Sequence, residues 1–409
     1  MDKRLYDEGC NPLRIAQLSD RGVDVWGADK VYVGEEVPLE NFESGAVLYN
    51  ATITGASTRI GAGSRIGISG PARIDDCQIG RDCELGAGIY EGSTLLDGAK
   101  VRGFAELRPG SLLEEEAEAA HCCAFKNTIL TAGVVAGSMI NFCDALLTGG
   151  TSRSDHSEIG SGTVHFNFDP RGDKWGSLFG DVRGVLLKSA PIFLGGQCGL
   201  VAPLHVDFGA VTAAGSIVRR DVGPDCVKFE TAQTGVVSGF DREVYPSLRR
   251  KFLSTADLIG TLWALDVWYE RVRLAYADER LKPLYEAARR QATAHITERV
   301  KRLEKIIAKL PRSLEKAPAP APAESERKDV RGEHRKLIEN QKAISQMLQT
   351  APDAAPAPER FLNEYERARR THSHMEAVQG LTAETAASAA GWIGGIAAQY
   401  RAEIWRILN

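Results

Sequence analysis

Two short polar stretches carry side chains that are able to accept a proton. The stretch SRSDHSE and the stretch HFNFD follow closely in the sequence and supply histidines beside carboxylates. A neighbouring carboxylate raises the basicity of an imidazole and orients it for proton abstraction. Candidate general bases are therefore the pairs Asp155 with His156 and His165 with Asp169. The alternative is that these residues satisfy turn backbone groups or face solvent.

Two further motifs have the residue types of known sites without their context. His121, Cys122 and Cys123, taken with Cys143, offer nitrogen and sulfur donors, but the paired C-x-x-C spacing of zinc sites is missing. We therefore predict no metal. GAGSRIG at 61–67 has the glycines of a phosphate loop, but no helix follows it. We interpret it as a repeat turn.

The elements that position these side chains follow from a period of six. Aliphatic residues open successive sixes, with small residues between them, at Leu95, Val101, Leu107 and Leu113, and at Leu194, Leu200, Val206 and Val218 with Thr212 on the same grid. A helix needs a period of 3.6 and a half-buried strand a period of 2. A period of six is typical of a hexapeptide β-solenoid, where three sixes form one triangular coil. We predict a mainly β fold, a parallel β-helix.

The amino-acid composition indicates the number of structural units, the partners and the location of the protein. The 409 residues, 43% of them hydrophobic, predict two or three structural units around a large core. A net charge of −4 argues against nucleic acid as a partner. No run of eighteen apolar residues occurs, so membrane binding is not expected. The eight cysteines lack a disulfide-framework spacing, and the expected location is the cytoplasm.

Beyond the repeats, the pattern changes to helical spacing broken by Pro/Ala stretches. The predicted units are an N-terminal segment (1–21), a β-helix (22–235), a helical domain (236–315), a Pro/Ala linker (316–330) and a helical tail (331–409) with a second Pro/Ala break near 351–358. The linker composition is that of a semi-rigid spacer.

Three expectations follow for the helices. Ser254 begins a capping-box pattern and is the predicted N-cap of the first long helix. The apolar stripe from Trp392 to Trp405 carries few cationic residues, so we expect it to pack on the solenoid or a partner subunit. Because the spacer is expected to cross few contacts, truncation after about Ala317 is expected to leave a folded trimer.

One part of the solenoid, residues 104–222, resembles a known family. Its anchors are FAELRPG (104–110), AFK (124–126), IGSGTVHFNFD (159–169), LVAPLHV (200–206) and AAGSIVRRDV (213–222). They resemble the C-terminal acetyltransferase domain of the bifunctional UDP-N-acetylglucosamine pyrophosphorylase / glucosamine-1-phosphate acetyltransferase. The resemblance implies a left-handed parallel β-helix, a homotrimer with sites between subunits, and acetyl-CoA or another acyl-CoA as donor. Only about twenty residues precede the repeats, so no nucleotidyltransferase activity is expected.

The resemblance also assigns a set of ligand-binding residues. The family's phosphate-binding arginine falls on Arg108, its lysine on Lys126, and an asparagine on Asn167. A second lysine corresponds to Lys174 after one extra residue. A guanidinium and two ammonium groups donate charge-assisted hydrogen bonds to phosphoryl oxygens. The implied ligand is a sugar phosphate or a nucleotide sugar.

The resemblance fails at the family's catalytic base. The frame that aligns the first lysine places Ser138 where the family has its catalytic histidine. Asn141 occupies a tyrosine position and Glu158 a ligand-binding asparagine position. We keep these three residues in the predicted binding site. An insertion of roughly one hexapeptide precedes Glu158, and it either adds one side of a coil or extrudes a loop.

The sequence therefore leaves open two functions of different classes. The first is a hexapeptide-repeat transferase that binds a ligand of the UDP-N-acetylglucosamine type between subunits and transfers an acyl group from CoA, with His156 or His165 as base. The second is a catalytically inactive ligand-binding or scaffold protein, whose helical arm docks a partner or assembles further copies. Both readings predict a homotrimer or a multiple of three.

Overall fold

Short strands separated by turns wind through most of the first half of the chain and stack into three parallel faces. The computed structural model describes residues 11–230, 235, 239–317 and 329–409. Face A contains β1 (Asp24–Val25), β3 (Val47–Leu48), β6 (Arg65–Ile66), β9 (Glu84–Leu85), β12 (Lys100–Gly103), β15 (Glu118–His121), β17 (Val135–Ala136), β21 (Glu158–Ile159), β24 (Phe193–Leu194), β27 (Val211–Thr212) and β29 (Val227–Lys228).

The other two faces share two long strands that bend around their common corner, β16 (Ala124–Leu130) and β18 (Asn141–Leu147). Face B also contains β2 (Val31–Val33), β4 (Ala51–Thr54), β7 (Ala72–Asp75), β10 (Gly88–Glu91), β13 (Ala105–Leu107), β22 (Val164–Phe166), β25 (Gly199–Val201) and β28 (Ile217–Val218). Face C also contains β5 (Arg59–Ile60), β8 (Gln78–Ile79), β11 (Thr94–Leu95), β14 (Leu112–Leu113), β23 (Ser177–Phe179) and β26 (His205–Val206).

The aliphatic residues of the six-residue grid form the solenoid core. Leu95, Val101, Leu107 and Leu113 are fully buried, and so is Thr212, the polar residue on the grid. Pairing is parallel and in register, with Leu95 opposite Leu113 one coil later. Each such side chain contributes roughly 1.5–3 kcal/mol through burial. The predicted fold class is confirmed, a left-handed parallel β-helix followed by a helical extension.

The corner between faces A and B stacks exposed apolar residues on successive coils. Phe104, Cys122 and Met139 have φ values of 54°, 60° and 58°, a left-handed turn conformation that non-glycine residues adopt infrequently. The amide N–H of Cys122 donates to the carbonyl of Gly103, and that of Met139 donates to His121, at 3.0 Å in each case. We call Phe104, Cys122 and Met139 the A–B ridge, since all three side chains face outward.

The insertion before Glu158 is an extruded hairpin. Its strands are β19 (Gly150–Ser152) and β20 (Asp155–His156), which pair antiparallel. The hairpin follows β18 on face C and precedes β21 on face A, so it lies at the corner between those faces. Of the two predicted forms of this insertion, an added side of a coil and an extruded loop, the structure has the extruded loop.

The helices are α1 (Pro12–Asp20), α2 (Arg249–Trp268), α3 (Leu281–Ile307), α4 (Leu310–Lys316), α5 (Val330–Glu339), α6 (Gln341–Gln349), α7 (Glu359–Arg369), α8 (His374–Gln379) and α9 (Ala383–Leu408). The N-cap predicted at Ser254 is wrong, because α2 already begins at Arg249. Phe252 and Leu253 in its first turn are buried in the core, and their packing extends the helix toward its N-terminus. Residues 351–358 separate α6 from α7, whereas 318–328 of the predicted linker lie outside the described residues.

The helical extension covers the outer side of face C. Leu112, Ile129 and Leu146 point out of the solenoid and are buried in one core with residues of α2, α3 and α9. Helices α2 and α9 approach closely, since a Cβ on Gly260 would lie 2.2 Å from the Ala397 carbonyl oxygen. The buried part of the tail stripe, which includes Ile393, Ile396 and Ile404, therefore packs within its own chain against α2, whereas packing on the solenoid or a partner subunit was expected; Trp405 at its end is 52% exposed. The predicted unit boundaries stay a prediction.

Ion pairs tie the extension to coils that are far apart along the solenoid. Arg280 lies 3.0 Å from Asp97, and Lys309 lies 2.6 Å from Asp173. The Gln291 amide donates to the carbonyl of Gly92 at 2.9 Å. The helices thus brace several coils along one face.

Across the described ranges, none of the helices combines the length and the apolar character required to cross a bilayer.

Candidate functional site

Three of the predicted phosphate-binding cations surround one thiol. Lys126 in β16 lies directly opposite Cys143 in β18, and Arg108 follows β13 on the preceding coil. The Arg108 Nη2 atom lies 3.6 Å from the Cys143 sulfur. Burial raises the pKa of Cys143, while the charges of Arg108, Lys174 and Lys126 oppose that rise. We call Arg108, Lys126, Cys143 and Lys174 the cationic groove.

The cations of this groove are available to a ligand. Lys126 is exposed, and within the described chain neither its ammonium group nor that of Lys174 forms a hydrogen bond or ion pair inside the protein. The Arg108 side chain is 35% exposed, and its carboxylate neighbour Glu106 is 3.9 Å away, a weak contact. An anion in the groove therefore competes with little internal pairing.

A buried carboxylate holds the predicted asparagine beside the groove. The Asn167 Nδ2 atom donates to Asp144 at 2.6 Å, and Asn127 donates to the same carboxylate at 3.1 Å. From helix α3, Arg299 donates at 2.6 Å and forms a buried ion pair. Burial raises the pKa of Asp144, but the Arg299 charge and the hydrogen bonds outweigh it, so the net shift is downward. Asp144 is an ionised anchor for three side chains.

His165 lies in the solenoid core and not in the groove. Its Nδ1 donates to the Cys143 carbonyl oxygen and its Nε2 contacts the Ser177 hydroxyl, both at 2.7 Å. The ring packs between Phe142 and Phe179. Burial lowers the His165 pKa to about 4. Because both ring nitrogens are engaged inside the fold, we do not retain His165 as a base in the proposed mechanism.

Asp169, the carboxylate predicted to assist His165, points elsewhere. It accepts a hydrogen bond from Lys251 of α2 at 2.7 Å and one from the Trp175 indole at 3.2 Å. Asp169 therefore links the solenoid to α2 of the helical extension.

The second predicted pair lies on the extruded hairpin. Asp155 accepts from the Thr151 hydroxyl at 2.6 Å, and His156 Nδ1 donates to the Arg153 carbonyl at 2.8 Å. The Nε2 atom of His156 is 3.8 Å from Glu158 on face A. The cationic groove lies at the opposite side of face C, so the structure does not bring Asp155, His156 or Glu158 to it.

Ser138 lies at the A–B corner and Asn141 on face B, near an imidazole that was assigned no catalytic role from the sequence. Asn141 opens β18, two residues before Cys143. The Ser138 hydroxyl lies 3.4 Å from His121 Nδ1, and His121 is exposed. His121 occupies the position one coil before Ser138. A strict period of eighteen leads from Ser138 to Ala120, so the sequence pattern misses His121; the seventeen-residue coil appears only in the pairing of Glu118 with Val135.

The cysteines near His121 point in different directions. Cys123 is buried toward the core, Cys122 is exposed at the A–B ridge, and Cys143 lies in the groove. Among the residues with described positions, no group of three or more His, Cys, Asp or Glu side chains is arranged to hold a metal ion.

Comparison with known proteins finds a local similarity. No protein-family model matches the chain. It is 32% identical over 139 residues to the bifunctional protein GlmU of Pseudomonas fluorescens Pf-5, a match that covers 34% of this chain and 27% of that protein. The GlmU of Pseudomonas entomophila is 33% identical over 141 residues (34% and 26% covered), and that of Acinetobacter baumannii AYE is 32% identical over 130 (32% and 25%). The chain spans about a quarter of these relatives' length. The predicted resemblance is confirmed for about a third of the chain.

Proposed function

We propose that this chain is a hexapeptide-repeat transferase-like protein that binds a sugar phosphate or nucleotide sugar, of the UDP-N-acetylglucosamine type, in the cationic groove. The reaction class we assign to it is acyl transfer from CoA to an amine of that ligand. The local similarity to GlmU supports the class, and the groove supports the ligand.

The convergence of Arg108, Lys126 and Lys174 on one thiol is the observation that carries this proposal. Three cations near one point repel each other unless an anion lies between them. A phosphoryl group offers three acceptor oxygens and suits a guanidinium with two ammonium groups. The carboxylate of Asp144 lies beneath the groove and fixes Asn167, so part of the site is preorganised.

In the proposed reaction the ligand amine attacks the thioester carbonyl of acyl-CoA, the C–S bond breaks, and the CoA thiolate leaves. A base takes the proton that the amine loses and returns it to the thiolate. We assign this role to His121, at the A–B corner, because its ring is exposed and, among the described residues, its one hydrogen-bond contact is that of Nδ1 with the Ser138 hydroxyl.

A specific observation supports the alternative of an inactive ligand-binding scaffold. None of the three histidines considered as the base lies in the groove itself, since His165 is buried, His156 is on the hairpin between faces C and A, and His121 is at the A–B corner. A protein that keeps its anion groove without a base binds the ligand and does not turn it over.

The ligand is tested by calorimetric titration with glucosamine-1-phosphate and with UDP-N-acetylglucosamine. Arg108→Ala and Lys126→Ala are each expected to weaken binding by about 1.5–3 kcal/mol, the usual contribution of a hydrogen bond to a charged group. Lys100→Ala, on face A, is the matched control and should bind as the parent does. Unchanged affinity in both groove variants would exclude this groove as the ligand site.

The base is tested by acetyl transfer from acetyl-CoA. His121→Ala is expected to lose roughly 10²–10⁴ of the turnover while ligand affinity is kept, and His156→Ala is the control that retains activity. If the parent shows no transfer but its groove binds the ligand, the scaffold function stands and the enzyme function fails.

A further inference from the structure

A second cleft lies apart from the cationic groove, where the helical extension crosses the C-terminal coils. It has a volume of about 1010 Å³ and is enclosed by α2, α9, the outer side of face C and the turn after β23. The lining side chains used below are those of Arg183, His205, Arg250, Asp257 and Arg401, together with the small residues of α9.

On the side of α9 that lines the cleft, glycines leave the helix surface without side chains. At Gly391 and Gly395 an added Cβ would meet nothing within 4 Å, and at Gly394 it would lie 3.4 Å from Arg183. Each glycine within a helix costs about 1 kcal/mol relative to alanine. Close packing does not require glycine at 391 and 395, so their effect is to leave space in the cleft.

Four arginines line this space, and for three of them, Arg183, Arg250 and Arg401, a carboxylate or carbonyl oxygen holds one side of the guanidinium. Arg183 donates through Nε and Nη2 to Asp181, at 2.8 and 2.5 Å. Arg250 donates through Nη1 to the carbonyl oxygen of Pro203 at 2.9 Å, and Arg401 pairs with Asp257 through Nη1.

These arginines keep donors that the protein does not use. Their side chains are 45%, 49% and 48% exposed, in the order Arg183, Arg250 and Arg401. Within the described chain, Nη1 of Arg183 and the Nε and Nη2 groups of Arg250 and Arg401 have no hydrogen-bond partner. Guanidinium groups held in this way are preorganised to bind an anion.

Two further groups favour an anionic occupant. The buried Nε2 atom of His205 has no partner among the described residues. Burial raises the pKa of Asp257, and the charge of Arg401 only partly offsets that rise.

We propose that this cleft is a second binding site, which takes a phosphate-bearing small molecule up to nucleotide size. Arg183, Arg250 and Arg401 bind the phosphoryl oxygens, and the glycine wall of α9 accommodates the rest of the ligand. The volume is that of a site for a whole small molecule. The ligand thereby links α9 to the solenoid.

The test uses inorganic pyrophosphate as the probe, in the full-length Arg108→Ala/Lys126→Ala background so that the groove does not contribute. Calorimetry is expected to show remaining binding in this background. Gly391→Leu and Gly395→Leu place a side chain where a Cβ meets nothing within 4 Å, and each is expected to lower the affinity at least tenfold. Ala387→Leu, on an exposed part of α9 outside the cleft, is the matched control. The proposal is overturned if the Arg108→Ala/Lys126→Ala protein does not bind pyrophosphate. It is also overturned if the two Gly→Leu variants bind pyrophosphate as tightly as the Ala387→Leu control.

A second variant tests the arginines without leaving a charge unpaired. Arg401→Gln combined with Asp257→Asn removes one guanidinium and its carboxylate together. It is expected to bind pyrophosphate at least tenfold more weakly, with an unfolding midpoint near that of the background. Unchanged affinity in this double variant overturns the role of Arg401 and the proposal with it.

Discussion

At the scale of single residues, the same side-chain type serves different purposes in neighbouring coils. His165 points into the core and bonds to Cys143 and Ser177, whereas His121 points outward at the A–B corner. The difference follows from the alternation of side chains along a strand, since one residue of each pair faces the core and the next faces solvent. A histidine in a chemically promising motif is therefore a base only if its strand register turns it outward.

His165 is expected to contribute to the loss of stability in acid, together with His295 and His374, whose pKa values burial also lowers. In the folded chain its imidazole stays neutral down to about pH 4, whereas in the unfolded chain it takes up a proton near its ordinary pKa of about 6.5. The unfolded state binds more protons between these values, so the free energy of unfolding falls as the pH drops from about 6.5 to 4, by up to about 1.4 kcal/mol per pH unit.

Urea unfolding as a function of pH measures this effect. His165→Gln should flatten the slope in that window, and the same change at the exposed His372 should leave it as in the parent. An equal slope in the parent and in His165→Gln would contradict the assignment of His165 as a buried neutral core residue.

At the scale of elements, helix α3 completes the floor of the groove through one ion pair. Arg299→Ala leaves Asp144 buried without its counter-charge and is expected to destabilise the protein by about 3–5 kcal/mol. Arg299→Met with Asp144→Asn removes both charges, and the asparagine keeps the turn conformation, so most of that loss should be recovered. Denaturant midpoints measure both. A double variant as unstable as Arg299→Ala would show that the charges are not the reason.

The sequence predicts repeated elements better than contacts between elements. Leu95 and Leu113 are in the core as predicted, because a period is a local property of the chain. The helix start at Ser254 was wrong because tertiary packing of Phe252 extends α2 beyond its capping signal. The pairing of Asp144 with Arg299 joins a solenoid corner to a helix 155 residues away, and no local pattern reports it.

At the scale of the whole molecule, the described helices of the extension cover face C, and they leave the A–B corner exposed. The A–B ridge exposes Phe104 at 74% and Met139 at 61%. Light scattering is expected to give about three times the chain mass of 44.3 kDa, with the ridge at the subunit contact. Phe104→Glu with Met139→Glu should lower that mass, while Leu13→Glu, at the far end of the solenoid, should not. A monomeric parent would exclude this assembly.

Truncation after Ala317 is now expected to fail, contrary to the expectation from the Pro/Ala spacer. Removing α5 to α9 uncovers buried residues of α2, among them Ile259 and Leu262, which share one core with the tail. An exposed apolar face of that size favours aggregation. Expression and gel filtration of residues 1–317 measure the outcome, and a soluble, folded product would show that α2 and α3 suffice to cover face C.

The contacts between the helical extension and face C change how the solenoid is expected to unfold. In a bare repeat protein each coil contacts only its neighbours, so opening begins at an end and spreads by one coil at a time. Here the helical extension contacts coils from Gly92 to Asp173. A coil in that interval therefore unfolds locally only if its contacts with the helices also break. The braced coils should therefore exchange their backbone hydrogens as one cooperative unit, while the coils around β1 and β3 open first.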